Sequence, residues 1–222
     1  MPDCSAGKAV EASTPTAEST MTSQPMFWVR HGESEWNRLG LMQGQMPCPG
    51  LSALGVRQAR RAAELLARAA PRRVISSDLR RAAETAAIIA EHVGLAEIET
   101  SPLLRERGWG IYEGRPIADG RLAEEKLFAS ERVPDGESRR DVADRLRQFA
   151  RQLRGAGPSV VVTHGDVIRE ALTIFAGQER QPHSFHNGCV IQLEIPMGAL
   201  FRQLAVPRSK GSLFSEIALF GP

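Results

Sequence analysis

The sequence is short of the features that would assign it quickly to a specialised class. It has no apolar run long enough to cross a bilayer and no continuous apolar segment near its start. A secretory signal is therefore not expected, and a cytoplasmic protein is. Neither sign of charge dominates: 28 basic and 26 acidic side chains give a formal net charge of +2. Bulk charge thus offers nothing to hold a nucleic acid, and neither nucleic acid nor membrane is an expected partner. Arginine greatly outnumbers lysine. Cysteine is scarce and odd in number, at positions 4, 48 and 189, and the spacing fits no zinc or redox motif. Cys189 lies in an apolar run and reads as a small core residue. Cys48, between Pro47 and Pro49, sits in a loop and is not read as a reactive thiol. No carboxylate cluster suggests a magnesium or zinc site, so neither metal nor cofactor is expected. No internal repeat is present.

What remains is the composition of an ordinary globular chain of 222 residues, 42% hydrophobic and 24% charged, enough for one sizeable core. Residues 1–25 are rich in Ser, Thr, Ala, Pro and Glu, without periodicity. They read as a disordered tail, or as an over-extended start, since Met21 and Met26 are also possible starts. A folded domain is expected over 26–206, followed by a segment, 207–222, whose packing the sequence does not fix.

From Met26 onward, strand and helix patterns alternate. Phe27–Val29 reads as a buried strand. Ser52 is placed to cap a helix running to about Arg68, with Val56, Ala59, Ala63 and Leu66 on one face. Val74-Ile75 is a short strand. The next helix, capped by Ser77 or Asp78, turns Ala82, Ala86, Ile89 and Val93 inward and stops at Gly94. Ile98 marks a further strand. A short helix is expected near Leu122–Phe128, and a long one over Ser138–Arg154 with Val142, Leu146, Phe149 and Leu153 at helical spacing. Ser159–Thr163 is the clearest buried strand, followed by a helix over Val167–Phe175. Cys189–Ile195 and Leu200–Val206 read as two final strands joined by a turn. Such alternation implies an α/β sheet covered on both faces, with ligands bound at the carboxyl ends of its strands.

Two strand ends carry the same signature. Arg30-His31-Gly32-Glu33 follows the first strand, and His164-Gly165 follows the strand ending at Thr163. A guanidinium offers a planar fork to phosphoryl oxygens, a neutral imidazole can attack phosphorus, and glycine lets the backbone approach an anion. The helix start at Gly165 adds backbone donors. Arg81, in the first turn of its helix, can reach the same crevice.

Taken in order, Arg-His-Gly-Glu at 30–33, Arg-Ala-x-x-Thr-Ala at 81–86, Leu104-Arg105-Glu106 and Thr163-His164-Gly165 resemble the histidine phosphatase superfamily, branch 1, the phosphoglycerate mutase-like branch. Asn37, Gln43-Gly44, Leu51-Ser52, Tyr112-Glu113-Gly114 and Pro134-x-Gly136-Glu137-Ser138 support the match, which covers roughly residues 26–195. The resemblance implies a three-layer α/β/α sandwich with a mostly parallel central sheet. It implies that His31 accepts the phosphoryl group, that Arg30, Arg81 and His164 neutralise its oxygens, that Asn37 adds a neutral donor, and that Glu106 gives the leaving alcohol its proton. Gly165 joins the phosphate-binding set.

Mutases of this branch carry a longer insertion after the glutamate; here Glu106 to Glu137 is short, which favours hydrolysis of a small phosphorylated metabolite. A phosphoglycerate mutase and a phospho-ligand-binding protein with little turnover are the alternatives. Substrate recognition is expected from the loop 38–50 and from 107–136, with Gln43, Gly44, Tyr112 and Arg115 as candidates and Arg121, Lys126 and Arg132 as further cations. Glu33 is expected to buttress an arginine, and His92, His183 and His186 to be surface or turn residues. A monomer or homodimer is expected. The chain departs from the common pattern at Cys48-Pro49-Gly50-Leu51, which lacks the usual acidic residue, and at Arg107-Gly108-Trp109-Gly110-Ile111.

Overall fold

The computed structural model describes residues 24–153, 157–178 and 185–195. The chain runs β1 (Gln24–Arg30), α1 (Glu35–Arg38), α2 (Ala53–Ala67), β2 (Arg73–Ser76), α3 (Arg80–Val93), β3 (Ile98–Thr100), α4 (Ile117–Glu124), α5 (Arg139–Gln152), β4 (Ser159–Thr163), α6 (Gly165–Phe175) and β5 (Val190–Ile195). Two 3-10 turns, Pro102–Leu104 and Gly110–Tyr112, lie between β3 and α4.

The five strands form one sheet in the order β3-β2-β4-β1-β5. All pair in parallel except β5, which runs antiparallel to β1 along one edge. The valine run of β4 shows why the sheet needs cover on both sides. Val161 packs on one face with Trp28, Ile75, Leu146, Phe149 and Ile168, under α5 and α6. Val160 and Val162 pack on the other with Val29, Val74, Ala63, Leu66 and Ile89, under α2 and α3. A strand's side chains alternate between faces, so a strand buried on both must be apolar throughout. The result is the three-layer sandwich with a mostly parallel sheet that the sequence implied.

Helix ends follow local chemistry. Ser52 accepts the Gly55 N–H, and Ser138 forms a capping box with Asp141. Gly94 closes α3 in the left-handed conformation, φ 74°.

Several expectations are corrected. Neither Ser77 nor Asp78 caps α3: its N-cap is Leu79, without a side-chain bond. The Asp78 carboxylate is drawn off by Arg105 at 2.7 Å, and Ser77 is used elsewhere, as described below. The helix expected near Leu122–Phe128 lies at Ile117–Glu124. Pro116 sets its start, and Gly120 lets it close on Met42 and Trp109, where a Cβ would sit 2.6 Å from the methionine Cε. α6 begins two residues earlier than expected, with His164 as its N-cap. Glu33 accepts from the Ser52 hydroxyl at 2.7 Å rather than serving an arginine. The short α1 was not foreseen. The expected tail, the strand at Leu200–Val206, the segment 207–222 and His183 lie outside the described residues.

Candidate functional site

Three adjacent parallel strands deliver their carboxyl ends to one place. β4 lies between β1 and β2, so Arg30-His31, Thr163-His164 and Ser76-Ser77 come off neighbouring strands. Backbone bonds lock the three exits together: His31 N–H donates to Thr163 O at 2.9 Å and Ser77 N–H to Val162 O at 2.9 Å. The imidazoles of His31 and His164 lie 5.1 Å apart at 60°, close to the spacing of adjacent strands.

His31 is buried, and its Nδ1–H donates to Gly32 O at 2.7 Å. A carbonyl only accepts, so the proton sits on Nδ1 and the lone pair on Nε2. Burial, reinforced by the Arg81 and Arg30 charges, holds the His31 pKa well below the usual histidine value. The ring is therefore neutral at physiological pH. His164 is fully buried, and burial together with Arg81 and His31 likewise keeps it neutral. Its Nε2 pairs with Ser77 Oγ at 2.9 Å.

Arg81 occupies the first turn of α3 with no exposed surface. It donates from Nη2 to Gly44 O at 2.8 Å and from Nη1 to Met46 O at 3.1 Å. Burial lowers its pKa to about 10, so it stays charged. Arg30 is anchored through Nη1 on Phe185 O. Three buried nitrogens around His31 have no partner in the structure: Arg30 Nε, Arg81 Nε and His164 Nδ1. Unpartnered buried donors are uncommon and call for a ligand or a strain argument.

Glu106 follows the Pro102–Leu104 turn. Its Oε1 accepts from Arg107 N–H at 2.9 Å, and Asp166 N–H approaches Oε2 at 3.5 Å. Enclosure of the carboxyl, then the Asp166 charge, raise its pKa above the usual glutamate value. Two further bonds fix its main chain: Gln45 Nε2 and Arg145 Nη2 each donate to Glu106 O at 3.1 Å.

These groups border a cavity of about 230 Å³. Arg30, His31, Asn37, Gly44, Arg81, Glu106 and Gly165 all line it, as does the specificity candidate Gln43; His164 is not among the lining residues, its ring lying 5.1 Å from that of His31. Tyr112 does not line it, packing instead with Met42, Trp109 and Val133. Nor does Arg115, which is exposed and contributes its backbone carbonyl to Met42. Of the other cations proposed for substrate contact, only Arg121 borders the cavity; Lys126 is exposed, and Arg132 turns to Asp141. Among the described residues no group of three or more His, Cys, Asp or Glu is gathered to hold a metal ion, and no helix is long and apolar enough to cross a membrane.

Residues 26–201 match the histidine phosphatase superfamily (branch 1). The chain belongs to that family. Among curated relatives of this superfamily member is a probable phosphoglycerate mutase of Yersinia pestis, 34% identical over 163 residues, 68% of this chain and 74% of the relative. A protein of the same description from Proteus mirabilis is 41% identical over 129 residues, 55% and 59% of the two chains. Among solved structures, a mycobacterial glucosyl-3-phosphoglycerate phosphatase superposes with a TM-score of 0.67 at 31% identity, covering 78% of this chain and 91% of that one. A putative alpha-ribazole-5'-P phosphatase from Escherichia coli shares the fold, with a TM-score of 0.68 at 24% identity.

Several site residues of this superfamily member escaped sequence reading. Asn187 donates from Nδ2 to His31 O at 3.0 Å and to Asn37 Oδ1 at 3.2 Å. Its only sequence signal is the following Gly188, φ 75°, whose N–H donates to Arg30 O at 3.0 Å and His31 O at 3.2 Å. Asp166 and Arg169, on the first turns of α6, pair with each other and line the cavity beside Trp109. Asp166 follows His164-Gly165 directly, which was the available clue.

Proposed function

We propose that this chain is a phosphomonoesterase that hydrolyses a small phosphorylated metabolite through a phosphohistidine on His31. The observation that supports it best is the set of unpartnered buried nitrogens, Arg30 Nε, Arg81 Nε and His164 Nδ1, around a neutral His31. A phosphoryl group brings equatorial oxygens that take up such donors, and the fixed cations stabilise the charge that spreads over those oxygens in transfer. Ser77 Oγ accepts from Leu79 N–H at 3.3 Å, so its own proton is available to His164 Nε2. With that proton given to Nε2, His164 carries its own on Nδ1 and can donate it to a phosphoryl oxygen.

His31 Nε2 attacks phosphorus, the bond to the alcohol oxygen breaks, and Glu106 gives that oxygen its proton. The raised Glu106 pKa suits it to hold the proton until then. Water then attacks the phosphohistidine, Glu106 takes the water's proton, and phosphate leaves. Asn37 adds a neutral contact from α1. His31→Ala is expected to abolish phosphate release from p-nitrophenyl phosphate while the protein stays folded; full activity in that variant would sink the mechanism.

A second reading, phosphoglycerate mutase, is favoured by the description of the 34% and 41% identical relatives. It requires rapid interconversion of 3- and 2-phosphoglycerate, stimulated by the bisphosphate. Release of phosphate without that interconversion decides for the hydrolase. Tight binding of phosphomonoesters with no turnover of either kind decides for a binding protein.

A further inference from the structure

Residues 44–46 hold two groups of the site at once. The carbonyls on either side of Gln45 carry the Arg81 guanidinium: Gly44 O accepts from Nη2 at 2.8 Å and Met46 O from Nη1 at 3.1 Å. Between them, the Gln45 side chain reaches the segment that bears Glu106. Its Nε2 donates to Glu106 O and to Glu137 Oε2, each at 3.1 Å. Both partners only accept, so it is the amide nitrogen, with one hydrogen for each, that faces them. The main chain of Gln45 is fixed as well, its N–H donating to Glu113 Oε1 at 2.9 Å. Gln45 itself does not border the cavity.

The segment that bears Glu106 is also held by the scaffold. Arg145, on α5, donates to Leu103 O at 2.7 Å and to Glu106 O at 3.1 Å. Thr163, at the end of β4, donates from Oγ1 to Leu104 O at 2.7 Å. These bonds seat the segment on a helix and a strand. Gln45 supplies a direct bond from that segment to the loop that carries Arg81.

We propose that Gln45 is a positioning residue that fixes Glu106 relative to Arg81, so that the Glu106 proton meets the bridging oxygen of a phosphomonoester while the equatorial oxygens are held. This rests on the phosphomonoester reading of the same cavity. A guanidinium that holds the equatorial oxygens fixes phosphorus, and the bridging oxygen lies one bond away. The carboxyl must be placed against that oxygen, and a shift of about 1 Å at a reacting group costs about 10²-fold. With Arg145 still bonded to Glu106 O, loss of Gln45 should cost less, about tenfold.

Gln45→Met removes the donor at nearly constant size, and Gln45→Lys returns a donor to the same two acceptors. Arg145 and Thr163 remain in both, as does the Gly108 N–H that donates to Glu137 Oε2 at 2.9 Å. The fold is therefore expected to hold, with the urea midpoint as control. In Gln45→Met, phosphorylation by 3-hydroxypropyl phosphate is expected to slow about tenfold. With p-nitrophenyl phosphate, whose leaving group departs without a proton, the loss should be about twofold at most. Gln45→Lys is expected to recover most of the difference. A merely loosened structure slows both esters alike, so equal losses, or none, overturn the proposal.

A second readout needs no turnover. Orthovanadate as a five-coordinate adduct on His31 places an apical oxygen where the leaving oxygen would stand, and inorganic phosphate does not. The ratio of vanadate to phosphate affinity is expected to fall about tenfold in Gln45→Met; an unchanged ratio overturns the proposal. Failure of the unmutated protein to release phosphate from either ester refutes the hydrolytic reading instead, and the vanadate ratio still decides the role of Gln45.

Discussion

The imidazoles of His31 and His164, 133 residues apart in the chain, meet at 5.1 Å in a T-shaped arrangement, and both are buried in the neutral form. Two neutral histidines side by side, flanked by Arg30 and Arg81, put two imidazoles in one cationic pocket without adding two further positive charges. The same arrangement makes folding sensitive to acid.

Below the ordinary histidine pKa, the unfolded chain binds two protons that the folded site refuses. Stability therefore rises with pH through the window beneath 6.5, by up to about 1.4 kcal/mol per pH unit for each histidine. Glu106, whose pKa is raised, acts in the opposite sense: its contribution is complete in acid and fades as pH climbs past the usual carboxylate range. Urea unfolding at pH 5.5 and 7 is expected to show the net rise, and His31→Asn to reduce it by about the share of one histidine. An unchanged pH slope in that variant would contradict a neutral, buried His31.

Glu106→Gln is expected to separate substrates by leaving group. An alkyl phosphate needs a proton on its departing oxygen, so its phosphorylation step should slow by about 10² to 10⁴. p-Nitrophenolate departs without help, and that substrate should lose far less in the burst of the first turnover. Stopped-flow and steady-state rates with both substrates provide the comparison. In the unmutated protein the alkyl phosphate should also lose activity as Glu106 deprotonates, placing an alkaline limb above the ordinary glutamate pKa.

Gly32→Ala is expected to destabilise the fold. A Cβ there would lie 2.3 Å from Gly55 O, which is helix backbone with no rotamer to move aside. Overpacking of this kind costs about 1–3 kcal/mol, and it falls next to His31, so activity should drop along with the denaturation midpoint. Gly55→Ala, whose Cβ would lie 2.0 Å from Glu33 O, should behave alike.

Asn187→Ala removes the donor that ties His31 O to Asn37 Oδ1. The side chains of His31, Arg30, Arg81, Glu106 and His164 themselves remain. About 1 kcal/mol of lost positioning corresponds to a severalfold weaker competition by inorganic phosphate. Inhibition constants for phosphate, with circular dichroism as the control for folding, test this.

The layers and most strands were legible in the sequence because the sheet is buried on both faces, so that Ser159–Thr163 had to be a nearly unbroken apolar run. The central groups of the site were legible for a related reason: short motifs sit where strands end, and the ends of β1 and β4 are neighbours. The wall was harder to read. Tyr112 and Arg115 stand in the expected segment, but a 3-10 turn and the start of α4 aim them away from the cavity. Trp109 and Arg121, from the same segment, face it instead. Sequence spacing does not fix side-chain direction where helices are this short. Asn187 was illegible because its value depends on an edge strand pairing with β1 across more than 150 residues.

That edge strand has a consequence for biosynthesis. Every charged group that the described residues bring to the cavity lies before residue 170, so a nascent chain emerging only through α6 already carries those groups. It does not yet carry Asn187, Gly188 or β5, which bond to Arg30 O and His31 O and pair with β1. Since chains emerge amino-terminus first, the bonds to Arg30 O and His31 O arrive only with the closing of that edge.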